Sequence, residues 1–574
     1  MYIWVDELTT VAAAYALDNF ITINGNTVNI SAPANNNASV GSCSGTGAAM
    51  TCVSAGLTHA FLNAANLVDA VGSFTAPPTG QVHLDAAASP GSDASIAALG
   101  TSTANGGVNP YTLANTVPVA VINTLGNILQ ACVNSTGGVA SDGSPCGVLF
   151  QNATPSSLYS AATAAPTNTL QAAMNIARTP FVNVANLYNL ATASGFYQPA
   201  LVAAPNDWSI SIQYHSATFG ATVTPLGYPF SVALDANDSV YVSGNSTGSS
   251  PVGTGATPVL ISKLSSNGVG VWQTSLASST VCATGVLGNL CNEALDAVGN
   301  LYLADVGYLY QVSTATGTPT AFTKTLSTAS LNPINVAVDR YNGLFVTTNN
   351  VSSKANLVTY PAGSTATTAP TIVTAIGLTQ PISPIPTGLG FDSNGDLGIT
   401  LYGSSPMKSY FLANSSSTST SFGTASLGVL AASGDTDTQM EWVVFDANNN
   451  FYANSLVALY ELPAGSYGST ANVAGSYSGG SIRGAAIDGN GSIFMDDGNF
   501  AMRVYYPKLG TPTTGAFTGC LPWGDQATTV TSTSTATTST ESSYCSAAIW
   551  NGASKQQYPM RGTRNLAIDS TGAI

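Results

Sequence analysis

The chain has 574 residues and a formal net charge of −15, from 12 Lys and Arg against 27 Asp and Glu. Charged residues make up 7% and hydrophobic residues 44%, so cations are too few for a nucleic-acid-binding surface and apolar residues are numerous enough for most of the chain to fold. The sequence holds no uninterrupted apolar run of about 18 residues, so we predict no membrane-spanning helix.

The chain starts Met1-Tyr2-Ile3-Trp4 without a positively charged and then apolar leader. We therefore expect a mature or incomplete form of an exported protein. Export is suggested by eight cysteines in four neighbouring pairs, which are Cys43 and Cys52, Cys132 and Cys146, Cys282 and Cys291, and Cys520 and Cys545. Small polar residues between the first three pairs favour local disulfides, and reduced structural thiols are the alternative. Disulfides predict an oxidising, extracellular or cell-surface location.

Residues 1–205 are predicted to form an Ala-rich, loop-rich helical domain with an N-terminal strand. Apolar residues recur at helical spacing from Leu8 to Tyr15 after an N-cap at Asp6, and again in 57–68, 122–132 and 170–177. A further short helix is predicted around Val184 to Leu190.

The spacing changes at Trp208, where Trp208, Ile210, Ile212 and Tyr214 alternate with polar residues and predict a half-buried strand. A repeat then begins, built from an apolar strand that ends in Asp, a short turn and a second strand rich in Leu, Tyr, Phe and Val. Examples are VALDANDSVYVSG (232–244) and EALDAVGNLYLAD (293–305). The marking residues are Asp235, Asp296, Asp339, Asp392, Asp446, Asp488 and Asp569.

The repeat VxxD-x-x-G-N-L-Y-V-A-D resembles the NHL-repeat β-propellers over about residues 225–574. The N-terminal half resembles a region that precedes such propellers in secreted bacterial proteins, through INTLGNILQACVNSTGG (122–138), PCGVLF (145–150), TNTLQAAMNIARTP (167–180) and QPALVAAPNDWSISIQY (198–214). The resemblance implies an all-β propeller of six or seven blades over 206–574. It is informative about fold and says little about function.

The sequence predicts neither a catalytic site nor a metal or cofactor. The turns at Asp392 and Asp446 lack the Gly and the distal acid of a calcium loop, so we expect each Asp to cap its turn through backbone N–H groups. The three histidines, His59, His83 and His215, lie apart in the sequence and outside the repeats. A G-x-S-x-G elbow and a phosphate-binding loop are also missing, and we expect a protein that is not an enzyme.

Two Ser/Thr-rich stretches, 411–421 and 526–543, are typical of exposed loops. Surface glycans on them are the functional alternative.

We expect an extracellular structural protein that self-assembles as a head-to-tail filament or surface layer, with other copies of itself as partner. The final repeat carries little of its second strand, and the N-terminus could supply it, either within one molecule or between neighbours. The residues assigned to this contact are Tyr2, Ile3, Trp4, Val5, Leu566, Ile568 and Ile574. The alternative is a secreted ligand-binding propeller, or a lyase-like or lactonase-like enzyme, that uses a central pocket.

Overall fold

The computed structural model describes part of the chain. The described residues are 2–3, 6–24, 27–30, 43–44, 51–52, 59–60, 63–64, 67–68, 71–72, 119–154, 164–180, 182–192, 195–198, 200–205, 207–210, 214, 216–226, 228–245, 259–266, 268–276, 292–305, 308–321, 331–350, 356–365, 368, 371–372, 385–402, 408–413, 426–429, 442–454, 458–476, 484–487, 493–496, 501–506, 516–522 and 566–568.

Five helices of the N-terminal part have complete bounds. They are α1 (Glu7–Leu17), α2 (Val119–Val133), α3 (Pro145–Asn152), α4 (Thr169–Arg178) and α5 (Val184–Ala191). The Asp6 carboxylate accepts the Thr9 N–H at the start of α1, as the sequence predicts for an N-cap. None of the helices that the structure describes is long and apolar enough to cross a bilayer.

The helices share one apolar core in which small residues allow close approach. Leu8, Ala12, Leu125 and Leu129 lie in this core with less than one-tenth of their surfaces exposed. Gly126 is required where α2 crosses α1, because a Cβ there would overlap the Leu8 side chain. The remaining strands of this part are short pairs: β1 (Tyr2–Ile3) with β6 (Val71–Gly72), β2 (Ile21–Asn24) with β3 (Thr27–Ile30), and β4 (Cys43–Ser44) with β5 (Thr51–Cys52).

Trp208 lies outside any strand, so the strand predicted from Trp208 is wrong for its described residues 208–210 and 214. The Trp208 N–H donates to the Pro180 carbonyl at 2.9 Å, and its carbonyl accepts the Tyr15 hydroxyl at 2.6 Å. Its fully buried ring belongs to the helical core. Trp208, Ile210 and Tyr214 of the alternating pattern therefore pack on the helices, and the next strand that the structure describes, β7, starts at Ser216.

A hairpin of β7 (Ser216–Phe219) and β8 (Thr222–Pro225) leads into six four-stranded antiparallel sheets, counted within the described residues. Blade 1 contains β9 (Tyr228–Leu234), β10 (Val240–Asn245), β11 (Val259–Leu264) and β12 (Gly270–Ser275). Blade 2 contains β13 (Glu293–Leu295), β14 (Asn300–Asp305), β15 (Tyr308–Ser313) and β16 (Pro319–Ala321). Blade 3 contains β17 (Leu331–Val338), β18 (Leu344–Asn350), β19 (Asn356–Tyr360) and β20 (Thr371–Ile372).

Blade 4 contains β21 (Ile385–Phe391), β22 (Leu397–Tyr402), β23 (Lys408–Leu412) and β24 (Ser426–Val429). Blade 5 contains β25 (Val443–Phe445), β26 (Phe451–Asn454), β27 (Ala458–Leu462) and β28 (Asn472–Ser476). Blade 6 contains β29 (Gly484–Ile487), β30 (Ile493–Asp496), β31 (Ala501–Tyr506) and β32 (Ala516–Pro522).

The sheets pack face to face in sequence order, and the first strand of each blade contacts the first strand of the next from β9 to β29. Buried clusters fill the space between neighbours; for example, Tyr302 and Leu309 of blade 2 pack against Val336 and Val346 of blade 3. Sequential meanders with adjacent first strands form a β-propeller.

Candidate functional site

Five of the repeat aspartates lie at equivalent turns between the first and second strands of their blades. One oxygen, Oδ1, accepts the N–H groups two and four residues later, at 2.7–3.1 Å. These residues are Asp235, Asp296, Asp339, Asp392 and Asp446. The repeat therefore uses its carboxylates to hold turns together. Asp488 and Asp569 lie outside the described residues.

We expect Asp296→Ala to lower the free energy of unfolding by about 1–2 kcal/mol, because the N–H groups of Val298 and Asn300 lose their acceptor. Asp296→Asn keeps the Oδ1 acceptor but replaces Oδ2, which accepts Asn300 Nδ2 and the Tyr302 hydroxyl, with an amide donor, so it should cost less than Asp296→Ala but more than zero. Equilibrium denaturation of the two variants measures this order, and equal losses would show that the carboxylate does not act as a turn acceptor.

The fourth residue of each turn has a positive φ, between 57° and 99°. Gly, Asn and Asp tolerate this conformation best. In blade 3 it is Asn342, whose Oδ1 accepts the Ala297 N–H of blade 2 at 2.8 Å. In blade 5 it is Asn449, whose Oδ1 accepts the Ser393 N–H of blade 4 at 3.0 Å. The turn side chain thus joins a blade to the preceding one.

A second set of contacts joins the first strands themselves, four or five residues before the turn Asp. The Ser231 hydroxyl is 3.5 Å from Asn292 Oδ1, Asn292 Nδ2 donates to Asn335 Oδ1 at 2.8 Å, and Asn335 Nδ2 donates to the Thr387 carbonyl at 2.6 Å. We call Ser231, Asn292, Asn335 and Thr387 the polar belt. It runs across blades 1 to 4, and all but the half-buried Asn292 are buried.

Hydroxyl groups of the second strands support the polar belt where the ladders are irregular. The register shifts between Pro333 and Asn335, and the Asn335 N–H donates to the Thr347 hydroxyl at 3.1 Å. The same irregularity in blade 4 lets the Gly388 N–H donate to the Thr400 hydroxyl at 3.0 Å. Bulges free such N–H groups from the ladder, and buried N–H groups need an acceptor.

Glu293 is a buried acid beside the polar belt, at a position where the repeats have Val232, Val336, Leu389 and Val443. Neither carboxyl oxygen has a hydrogen-bond partner within the described residues. Burial raises its pKa to about 8, against the opposing effect of the nearby Ser243 hydroxyl of blade 1. Glu293 is therefore protonated, and neutral, at pH 7.

The helical domain holds one more buried acid, Asp207, and the half-buried Asp18. Burial raises the pKa of Asp18 to about 6 against the opposing effect of Arg178, whose Nε lies 2.7 Å from Asp18 Oδ1. Burial also raises the pKa of Asp207 to about 6, although the Ser209 N–H and hydroxyl both donate to Asp207 Oδ1. Each acid is partly compensated by local contacts within the helical domain.

Of the predicted disulfides, Cys132–Cys146 is formed and joins the end of α2 to the start of α3. Cys43 and Cys52 are direct cross-strand partners in the β4–β5 pair. Cys282, Cys291 and Cys545, and the side chain of Cys520, lie outside the described residues.

The predicted contact between the N-terminal strand and the final repeat stays a prediction, because the structure describes only part of each segment. Tyr2 and Ile3 pair with Gly72 and Val71 of the helical part and not with a blade, so the N-terminal strand does not close its own propeller through them. Of the two arrangements that the sequence left open, donation of the strand to a neighbouring copy stays a prediction. Leu566 and Ile568 lie in irregular structure. Trp4, Val5 and Ile574 are outside the described residues.

His59 pairs with Asp238 of blade 1, whereas His83 and His215 lie outside the described residues. Among the side chains that the structure places, no three His, Cys, Asp or Glu residues group as metal ligands.

The sequence analysis missed the polar belt and Glu293. Part of their signal is present in the sequence, because Ser231, Asn292 and Asn335 each stand four residues before a repeat Asp, whereas Thr387 stands five residues before Asp392. It is readable only when the repeats are aligned on their aspartates.

Neither a protein-family model nor a curated protein matches the chain. Solved structures with a similar fold include the periplasmic gluconolactonase PpgL of Pseudomonas aeruginosa, at 14% identity and a TM-score of 0.39, over 55% of this chain and 93% of that chain. Regucalcin, a calcium-binding protein of Agrobacterium tumefaciens, matches at 14% identity and a TM-score of 0.30, over 47% of this chain and 82% of that chain. A streptogramin B lyase matches at 10% identity and a TM-score of 0.29, over 41% of this chain and 68% of that chain. These values are too low to support an inference about activity.

Proposed function

We propose that the chain is an extracellular structural protein whose identical copies associate through the propeller and the helical domain. The observation that carries the proposal is the low charge of the chain, in which 7% of residues are charged. The amides and hydroxyls of the polar belt bond from blade to blade within one molecule and so serve cohesion of the propeller.

We also propose that the propeller is of the NHL-repeat type with six or seven blades, and that the protein is secreted. The shared Asp turns and the six four-stranded sheets support the repeat assignment. The Cys132–Cys146 disulfide supports an oxidising, extracellular location.

A surface with few charges is suited to contacts between identical copies. With 7% charged residues, like charges on two copies are sparse, and salt screens what repulsion remains. Exposed apolar residues of the helical part, among them Phe196 at 69% and Val202 at 89% exposure, are available for such contacts.

The N-terminal strand is our candidate for the element that passes between copies. Its pairing with β6 covers two residues, Tyr2 and Ile3, and such a short ladder is easily exchanged. Donation of β1 to a neighbour is a heterologous contact, which continues into a filament if the rotation does not close.

Negative-stain electron microscopy of the full chain and of a variant lacking residues 1–5 tests this function. We expect ordered assemblies of the full chain, and their loss in the deletion variant with an unchanged circular dichroism spectrum. The control Gln151→Ala changes an exposed polar residue of α3, which has no part in the proposed contacts, and should leave the assemblies intact. Assemblies that persist without residues 1–5 would contradict strand donation, and their absence from the full chain would contradict the structural function.

A further inference from the structure

The turn of blade 1 departs from the other described turns at its fourth residue. There Asp238 occupies the positive-φ position, at 57°, that Gly299, Asn342, Gly395 and Asn449 hold in the next four blades. Asp238 is only 4% exposed. A carboxylate at this depth is unfavourable unless a donor compensates it.

The compensating donor comes from the helical part of the chain. His59 Nδ1 lies 3.2 Å from Asp238 Oδ2, and His59 is also only 4% exposed. The two residues are 179 positions apart in the sequence. A buried contact of this kind fixes one unit against the other.

Tyr214 provides a second contact between the same two units. Its ring packs against the helical core and also against Ala217, Leu226 and Leu264 of the β7–β8 hairpin and blade 1. It also covers Gly268 in the turn between β11 and β12, where a Cβ would overlap the ring. The helical part and blade 1 therefore meet through apolar packing as well as through the contact of His59 with Asp238.

In other blades the fourth turn residue contacts the preceding blade. Asn342 and Asn449 each accept a backbone N–H from the turn of that blade. We propose that Asp238 adapts this same turn surface of blade 1 to bind the helical domain, with the His59 imidazole replacing the backbone N–H of a neighbouring blade. The partner of this surface is the helical domain of the same chain.

The repeat itself supplies the matched variants. Asp238→Gly removes the carboxylate but keeps a residue that blades 2 and 4 carry at positive φ. Asn449→Gly makes the same change in blade 5, where it removes a contact between two blades and none with the helical domain. His59→Gln alters the other partner without touching the propeller.

Hydrogen–deuterium exchange of the full-length variants, read in peptides covering residues 57–68, tests the proposal. We expect at least tenfold faster exchange there in Asp238→Gly and in His59→Gln, no change in Asn449→Gly, and no further increase in the double variant of His59 and Asp238. Unchanged exchange in both single variants would overturn the proposal, as would additive effects in the double variant. If Asp238→Gly does not fold, the exchange rates of His59→Gln and Asn449→Gly are compared instead. Faster exchange in His59→Gln alone supports the proposal, and unchanged exchange in both overturns it.

Discussion

Asn335→Leu is expected to lower the free energy of unfolding of the propeller by about 4 kcal/mol. The Asn335 side chain accepts from Asn292 Nδ2 and donates to the Thr387 carbonyl. Leucine makes neither bond, and each polar group left buried without a partner costs about 1–3 kcal/mol. Denaturant unfolding followed by circular dichroism of the strands measures the loss.

The control for this change is Asn237→Leu, which alters an exposed Asn in the turn of blade 1. We expect an effect within about 0.5 kcal/mol there, because surface substitutions away from special features are nearly neutral. Equal effects of the two substitutions would show that the polar belt does not hold the blades together.

Glu293 is expected to make the wild-type propeller less stable as the pH rises. Its pKa is raised from an ordinary value of 4.5 to about 8 in the folded state. Between these values the unfolded chain has lost the proton that the folded chain retains, so the free energy of unfolding falls with increasing pH. Below pH 4.5 and above pH 8 this contribution no longer changes.

Replacement by leucine, which blade 4 carries at the equivalent position, removes the titration. The stability of Glu293→Leu relative to the wild type should therefore rise by about 3 kcal/mol between pH 4.5 and pH 7, at 1.36 kcal/mol for each pH unit. Val336→Leu makes an equivalent change of volume in blade 3. The pH profile of its stability should run parallel to that of the wild type. Parallel profiles for Glu293→Leu as well would contradict the assignment of a protonated buried acid.

Features set by local interactions could be predicted from the sequence. The turn aspartates bond to N–H groups within four residues, so one repeat contains all the information. Helix α1 and its Asp6 cap, and the Cys132–Cys146 pair across a short loop, are local in the same sense.

Features that depend on distant partners could not be predicted. Trp208 begins a run with the period of a strand, but its own hydrogen bonds with Tyr15 and Pro180 hold it outside any strand. The pairing of Tyr2 with Gly72 and the contact of His59 with Asp238 join positions that share no sequence signal. The polar belt depends on bulges, which shift the register without marking the sequence.

Sedimentation velocity of the full-length protein over a wide concentration series tests the central proposal most directly. A structural protein built from its own copies should sediment as increasingly large species as the concentration rises, and the species should persist at high salt because few charges take part. A single species with the mass of one chain at every concentration would contradict self-assembly.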